Sequence, residues 1–554
     1  MDKRAILFLI LSVAILYLYS YFEYQQEQKR LDRIKPAPAP QQSTPSSPAP
    51  MTDTQAPVQS LVQESQIRDQ EVVVDTDLYR AVLTNRGGVI KHWELKQYRE
   101  KAEEDSPPIV LFDSEKNKPD LFPLHVWVEG ESEQVRQRFL SGLYRVEGQD
   151  IKLQGQNRQG QSRQGQLSFL ARDDSSGRVV IKRLTFYSDR YDVDVRVEAE
   201  GFEKGYSLYL GTNFAILDWG TTTMVSFVGP TSLIDQKIVQ DKPSDIQSEV
   251  VHPGQLSWTA LQDKYFLAAL IPQDGEGMGV ARKSADFQVT VGVRHPPASG
   301  QQASAYRLYA GPKEYDRLRS YRLNLEETID FGWFIYGSWS LVRVIAQPLF
   351  AVLRLLHDFT SNYGMAIILL TASIKLLFVP LTHKSYVSMR AMQGIQPKVA
   401  ALQKKYKEDR QKLQQELMEL YRKHKVNPLG GCLPMVLQIP VFIALFNIFY
   451  TTIELRHAPF MLWIKDLSAM DPYYILPIIM GVSMVLQQKL QPTTMDPTQA
   501  KILLFLPILF TYFFLWFPSG LVLYWLVNNI LSILQMYITI RYLNPAKQPV
   551  IEKK

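Results

Sequence analysis

The sequence predicts an α-helical polytopic membrane protein of six transmembrane helices, with an all-β sandwich domain inserted on the outer, periplasmic side. Three observations carry that prediction. Five apolar runs lie within residues 359–540, and a sixth opens the chain. Between them lies a long stretch in which apolar and polar side chains alternate with a period of two. The chain's charge is gathered in one segment. Of 554 residues, 61 are Lys or Arg and 55 are Asp or Glu, a net +6, yet residues 384–428 alone hold eleven basic and four acidic side chains. Such a segment suits nucleic acid, a ribosome or anionic lipid, and charge alone does not choose among them.

Composition also excludes several chemistries. Cys432 is the single cysteine, so no intramolecular disulfide forms. The eight histidines are scattered without zinc spacing, and no GxxxxGK[ST] loop is present. The expectation is a protein with no metal, no cofactor and no nucleotide motor.

Taken in order, residues 1–24 read as a transmembrane anchor. Lys3 and Arg4 precede the apolar run Ala5–Phe22, which ends in Tyr17, Tyr19, Tyr21 and Phe22 rather than in a small-x-small cleavage site. Residues 25–60 form a Pro-rich linker, with seven prolines between 36 and 57. Residues 61–330 read as the β-sandwich. Val193, Val195 and Val197 share one strand face, with Asp192, Asp194 and Arg196 on the other, and Phe287, Val289, Val291 and Val293 repeat the pattern. Turns such as Asn85-Arg86-Gly87-Gly88 and Asp173–Gly177 separate the strands, and helical signal returns only near Tyr315–Asn324. His92, His125, His252 and His295 read as surface or packing residues.

Residues 331–358, with Trp333, Trp339, Arg343 and Arg354 among apolar neighbours, read as an amphipathic helix lying in the outer interface. The second span is 359–382. Residues 383–428 form a basic helical hairpin, with Met392, Ile395, Val399, Leu402 and Tyr406 facing Leu413, Leu417 and Leu420 across a seam. The third span is 429–451, an outer loop is 452–471, the fourth span is 472–490 and an inner loop is 491–501. The fifth and sixth spans, 502–517 and 519–540, part at the turn Pro518-Ser519-Gly520. A basic tail occupies 541–554. Basic loops stay inside. That places the hairpin and both ends of the chain in the cytoplasm, and the β-domain outside, in the periplasm of a two-membrane cell.

Polar residues inside the spans mark the candidate site. Thr371 and Lys375 are i, i+4 on the second span; Tyr524, Asn528, Ser532 and Gln535 fall at i, i+4, i+8 and i+11 on the sixth. Gln438 lies about 14 Å from the inner end of the third span, and Lys375 about 9 Å from the inner end of its own. Snorkelling of the lysine and interhelical hydrogen bonding by the amides are the plainer explanations. A cation and several polar groups at similar depth, with no acid in the spans to pair with it, favour a water-filled groove in the inner leaflet.

Three stretches carry a family resemblance: Val426-Asn427-Pro428-Leu429-Gly430-Gly431-Cys432-Leu433-Pro434, Asp471-Pro472-Tyr473-Tyr474-Ile475-Leu476-Pro477, and Phe517-Pro518-Ser519-Gly520-Leu521-Val522-Leu523-Tyr524. In these the chain resembles the YidC/Oxa/Albino family of membrane protein insertases, in the Gram-negative form with a large periplasmic domain. The resemblance implies a β-supersandwich in the periplasm and a positive residue, here Lys375, in a hydrophilic groove open to cytoplasm and lipid. It implies that Thr371, Gln438 and Tyr524 are groove or substrate-contact positions, and that Ile439 and Phe442 contact substrate. The implied protein is not an enzyme. It integrates nascent inner-membrane proteins, alone or with the Sec translocon, and receives ribosomes on the hairpin and tail. Two other classes compete. A transporter or channel requires a site open alternately to both sides, and inverted repeats are not evident. An intramembrane hydrolase would draw on Ser373, Ser385 or Gly481-Val482-Ser483-Met484, but no histidine lies in the second to sixth spans.

Overall fold

The computed structural model describes residues 67–117, 121–155, 162–217, 226–285, 288–297, 301–334, 337–338, 340–407, 409–424, 426, 433–490 and 497–539. The expected anchor, the linker, most of the 491–501 loop and the basic tail lie outside the described residues.

Residues 71–312 form three sheets of five, nine and five strands, whose apolar faces merge into one core. In the nine-stranded sheet the long strands Gln164–Asp173, Arg178–Tyr187, Asp192–Glu200 and Gln301–Pro312 pair antiparallel in register. Val193, Val195 and Val197 are buried and Arg196 is exposed, as alternation requires. Val289, Val291 and Val293 are buried too, while Phe287 lies outside the described residues. Asp192, expected on the polar face, is instead buried. It accepts the Tyr321 hydroxyl at 2.7 Å and faces Arg307 Nε at 3.4 Å. The turn before Val89–Arg99 needs glycine. Gly87 has φ +77°, and a Cβ there would stand 2.5 Å from the Leu140 carbonyl.

Three helices interrupt the strands: α1 (Ser114–Asn117), α2 (Glu133–Ser141) and α3 (Tyr315–Ser320). Only α3 was legible. The nine residues of α2 bury Phe139 alone, so no apolar period announces the helix, which Ser132 caps by accepting from Val135 N at 3.4 Å. Of the four histidines, His125 stacks on Tyr209 and His295 on Tyr206, and burial pushes them down to about 3 and about 4. Both are packing residues, neutral at any ordinary pH.

The expected interfacial helix is α4, Ser340–Thr360, and it begins later than residue 331 because Trp333–Phe334 first pairs with Gly337–Ser338 as a short hairpin. Its inner face, Val342, Ala346, Phe350 and Leu353, is buried, while Leu341, Val344, Leu355 and Phe359 are exposed. Arg343 bonds Glu327 at 3.4 Å and Arg354 bonds Asp316, so residues about 16 Å apart along the helix both reach acids at the end of the β-domain. That pins α4 lengthwise against the β-domain.

The second span and the first arm of the hairpin are one element. α5 runs unbroken from Tyr363 to Lys405 over 43 residues, through Pro380 and Pro397, where a boundary at 382/383 was expected. A proline costs its helix one hydrogen bond and some bending, and α5 continues through both prolines, each on an exposed side. α6, Arg410–Lys423, folds back on it, capped by Asp409, which accepts from Lys412 N at 3.0 Å. Met392, Ile395, Val399 and Val426 are buried against Leu417, Leu420 and Tyr421, so the apolar stripe is the seam of the hairpin. Helices α7 (Leu433–Thr451), α8 (Ile475–Leu490), α9 (Pro497–Phe514) and α10 (Ser519–Ile538) complete the bundle. Among the described residues α4, α5 and α10 are long and apolar enough to cross a membrane. Val436–Thr451, Ile475–Leu490 and Phe505–Phe514 are apolar but shorter than the ~20 residues that span a bilayer unaided.

Candidate functional site

The site is built on α10, and α10 is positioned from its first turn. Gly520 N donates to the Leu467 carbonyl at 2.9 Å, and Ser519 donates through N and Oγ to the Ala469 carbonyl at 2.7 and 2.9 Å. The free N–H groups of a helix start are thus satisfied by the outer loop, which ties the Pro518-Ser519-Gly520 turn to it. Asp471 does the same for α8. Its buried carboxylate accepts Leu476 N at 2.7 Å, Tyr473 N at 3.0 Å and Trp463 Nε1 at 3.0 Å. Asn447 Nδ2 donates to Phe331 O at 2.7 Å, and the Glu454 carboxylate accepts Tyr315 N at 3.2 Å, both joining the outer end of α7 to the β-domain. Burial pushes the Glu454 carboxyl up to about 7.

From that outer end, the stripe expected on α10 descends toward two other helices. Tyr524 is buried, and its hydroxyl accepts Gln438 Nε2 of α7 at 2.6 Å. Lys375 Nζ of α5 donates to Ser532 Oγ at 2.7 Å, and Ser532 Oγ passes its own proton to the Asn528 carbonyl at 2.7 Å. Gln535 Nε2 donates to Thr382 Oγ1 of α5. Three of the four stripe residues therefore bridge α10 to α5 or α7. The fourth, the half-buried Asn528, makes no side-chain hydrogen bond to a described residue.

Lys375 reaches sideways across the helix gap rather than along its own helix toward the end. Its next neighbours, Leu376 and Leu377, are 72% and 77% exposed, which marks the opposite side of α5 as the lipid face. Among the described residues no carboxylate pairs with the lysine. Thr371 is buried on the lysine's face of the helix, but its hydroxyl is committed to Ile367 O at 2.6 Å, so it contributes shape more than polarity. Of the two substrate-contact positions, Ile439 is exposed beside Gln438, whereas Phe442 packs edge-on against Trp525 at 4.8 Å.

Sequence reasoning missed a second polar contact. Asn529, buried one residue on from the stripe, donates to Ser483 Oγ of α8 at 3.0 Å, and Ser483 donates to Met480 O at 2.5 Å. The signal was present as a pair of adjacent asparagines, of which the second points about 100° away from the stripe. Gly481 marks a different contact of α8, with α9, since a Cβ there would stand 2.1 Å from Thr511 Oγ1. Another pairing was missed among the hydrolase candidates. Ser373 is exposed and bonded to Leu369 O at 2.9 Å, while the serine that meets Lys375 is Ser532.

Known proteins match the chain along most of its length. Residues 355–547 match the profile of the 60Kd inner membrane protein family, and residues 71–352 that of the YidC periplasmic domain. The membrane protein insertase YidC of Geotalea daltonii is 40% identical over 505 residues, covering 89% of this chain and 91% of the relative. That of Syntrophus aciditrophicus is 40% identical over 481 residues, covering 85% of each. Among solved structures, an active YidC insertase with its first transmembrane domain resolved aligns over 87% of this chain and 93% of its own, at 19% identity and a TM-score of 0.36. With both of its halves matched in order and two fifths of its residues identical to such relatives, the chain belongs to the YidC family of membrane protein insertases.

Proposed function

We propose that the α10 stripe, with Lys375 and Thr371 of α5 and Gln438 of α7, lines a water-filled groove that takes the polar flank of a nascent inner-membrane protein. Ile439 and Phe442 meet the apolar part of the same substrate. The observation that carries this reading is Lys375 itself, half-buried and, among the described residues, bonded to one hydroxyl and facing no acid. An ammonium has three N–H donors and is strongly hydrated, so a single serine leaves most of its hydrogen bonding to water or to an incoming acidic or polar chain. The outer ends of α7, α8 and α10 are tied to loops and to the β-domain, which favours a groove closed outside and open to cytoplasm and lipid.

The energetics need no nucleotide. A charged side chain costs about 2.5–3.5 kcal/mol at mid-bilayer, and a 20-residue apolar segment gains roughly 6–12 kcal/mol on entering lipid. A short, lightly charged flank is carried by that gain once a hydrated groove shortens the dry path. A heavily charged flank exceeds it and requires the Sec translocon or the membrane potential. The accompanying topology has six spans (1–24, 359–382, 429–451, 472–490, 502–517 and 519–540), both termini cytoplasmic, and α4 in the outer interface. The basic hairpin and the 541–554 tail offer the ribosome its contact.

One observation favours a second reading, the Ser532–Lys375 pair at 2.7 Å, which resembles a Ser-Lys hydrolytic dyad. The Ser532 hydroxyl however also hydrogen-bonds the Asn528 main-chain carbonyl at 2.7 Å, so its hydrogen has a partner other than the lysine. A nucleophile needs its base to accept, so the pair is set up for polarity instead of attack. Lys375→Glu tests the groove. Insertion of substrates with acidic flanks should fall at least about tenfold at normal protein level, the change expected when attraction becomes repulsion at one buried site. Unchanged insertion of those substrates would refute the role of the charge.

A further inference from the structure

The outer loop between α7 and α8 buries apolar residues of its own and leaves others outside. Ile453, Leu455, Ile464 and Leu467 are buried, whereas Met461 is 49% and Leu462 81% exposed. The tip that carries these two is pinned by main-chain bonds. Phe460 N donates to Ile464 O at 3.0 Å, Ile464 N to Met461 O at 3.1 Å and Leu467 N to Ala458 O at 3.0 Å. Leu462 has φ +54°, in the left-handed region that a leucine rarely adopts. Strain of that kind persists only where surrounding contacts impose it. Here they hold an apolar side chain away from the protein's own core. The tip is also placed. Asn362 Nδ2, just before α5, donates to Phe460 O at 2.9 Å, and a Cβ at Gly364 would collide with the Phe460 ring, so glycine lets loop and helix close up. Met461 and Leu462 therefore stand beside the first turn of α5. There Met365 is exposed, at the head of a stripe that runs through Leu369 and Ala372 to Leu376 on the lipid face. Phe359, 85% exposed, stands at the same junction of α4 with α5.

We infer that this tip is a membrane anchor, with Met461 and Leu462 inserted among the acyl chains of phospholipids in the periplasmic leaflet. Residues 458–464 carry no charge, and Tyr473 and Tyr474, exposed on the same loop, supply aromatic groups suited to the headgroup level. Charged members of the loop turn elsewhere. Glu454 accepts Tyr315 N and Arg456 donates to Glu100 O, both in the β-domain. A stable protein partner buries about 800 Å² on each side, far more than two side chains present, whereas lipid covers any apolar area, however small. The loop also starts α10, since the Leu467 and Ala469 carbonyls receive the main-chain N–H groups of Gly520 and Ser519. A tip fixed in the leaflet thus fixes the depth of α10 and of the side chains along it.

The test uses the full chain carrying Cys432→Ser, in vesicles of phosphatidylethanolamine and phosphatidylglycerol that hold no other protein. A nitroxide is attached at Leu462→Cys and, in a second variant, at Met461→Cys. Electron paramagnetic resonance then reads its collisions with dissolved oxygen, which concentrates among acyl chains, and with a nickel chelate that stays in water. Leu376→Cys on α5 supplies the lipid reference, and Ser175→Cys in an exposed β-domain turn supplies the aqueous one. Both tip positions should lose most of the chelate collisions seen at Ser175→Cys and shift toward the oxygen-rich behaviour of Leu376→Cys. That protection should persist as the protein is diluted in lipid. Chelate collisions at the Ser175→Cys level at either tip position would overturn the proposal. Protection that disappears on dilution would overturn it too, because the tip would then be covered by a second copy of the chain.

Discussion

Both halves of the molecule draw lysines in from the surface, and they surround them in opposite ways. In the β-domain Lys182 donates to the carbonyls of Gly87 at 2.8 Å, Gly88 at 3.0 Å and Leu124 at 2.7 Å. Lys313 donates to Gln262 Oε1 and Asp263 O, each at 2.6 Å, and to Thr328 O at 3.2 Å. Each ammonium has three donors and each is met three times. Lys375, among the helices, is met once. Burial pushes Lys182 and Lys313 down to about 7, yet their cages of oxygens are built for the charged form. The lysines that hold the β-domain together are saturated by their neighbours, whereas Lys375, proposed to meet a substrate, is left short among the described residues.

The sharpest way to break this comparison is to truncate one lysine of each kind. Lys182→Ala leaves three buried carbonyls without a donor and should cost about 3 kcal/mol or more of β-domain stability. Lys375→Ala should cost less than about 1 kcal/mol, the scale of a single polar contact between membrane helices, while insertion falls. Urea unfolding of the purified full-length variants, followed by β-sheet circular dichroism and by helix signal, reads both. Equal destabilisation would make Lys375 a structural residue.

An intermediate effect is expected at the junction of the two regions. Glu454 is buried, with a carboxyl pushed up to about 7 from an ordinary 4.5, burial being the main cause. Its folded form holds a proton that the unfolded form gives up between those values. Its contribution is therefore fully present below about 4.5 and is lost as pH rises through about 7. Thermal unfolding of the wild-type chain should accordingly lose stability from pH 5 to pH 8 relative to Glu454→Gln, whose Tm should be the higher at pH 8. A wild-type profile parallel to that of the variant would place the carboxyl in a wetter setting than the fold implies.

The smallest effect sharpens the picture of the stripe. Tyr524→Phe removes the acceptor for Gln438 Nε2 and should cost about 1 kcal/mol, whereas the double variant with Gln438→Leu should recover part of it, because no polar group is then left unpaired. A double-mutant cycle on helix unfolding checks this. Additive losses would mean that the two side chains do not meet in the membrane.

Much of the candidate site was legible because it obeys a period. Tyr524, Asn528, Ser532 and Gln535 line one side of any helix that contains them, and the structure turns that side toward α5 and α7. The hairpin seam at Met392, Ile395 and Val399 was legible for the same reason. What escaped was whatever has no period of its own. α2 buries one apolar residue, so nothing in its pattern distinguishes it from a loop. Pro380 is a breaker by local rule, and only the structure shows that the helix runs through it. The Asn529–Ser483 bond joins residues 46 apart, and no local pattern selects that partner.

By itself, then, the sequence determined which segments are apolar enough to leave water, which faces of them are polar, and where the positive charge gathers. These follow from local composition and from the 3.6- and 2-residue periods. Tertiary structure alone decided that Lys375 meets Ser532 rather than an acid and that α4 lies along the β-domain. Each is a contact between residues far apart in the chain, chosen by how whole elements pack once every buried polar group has sought a partner.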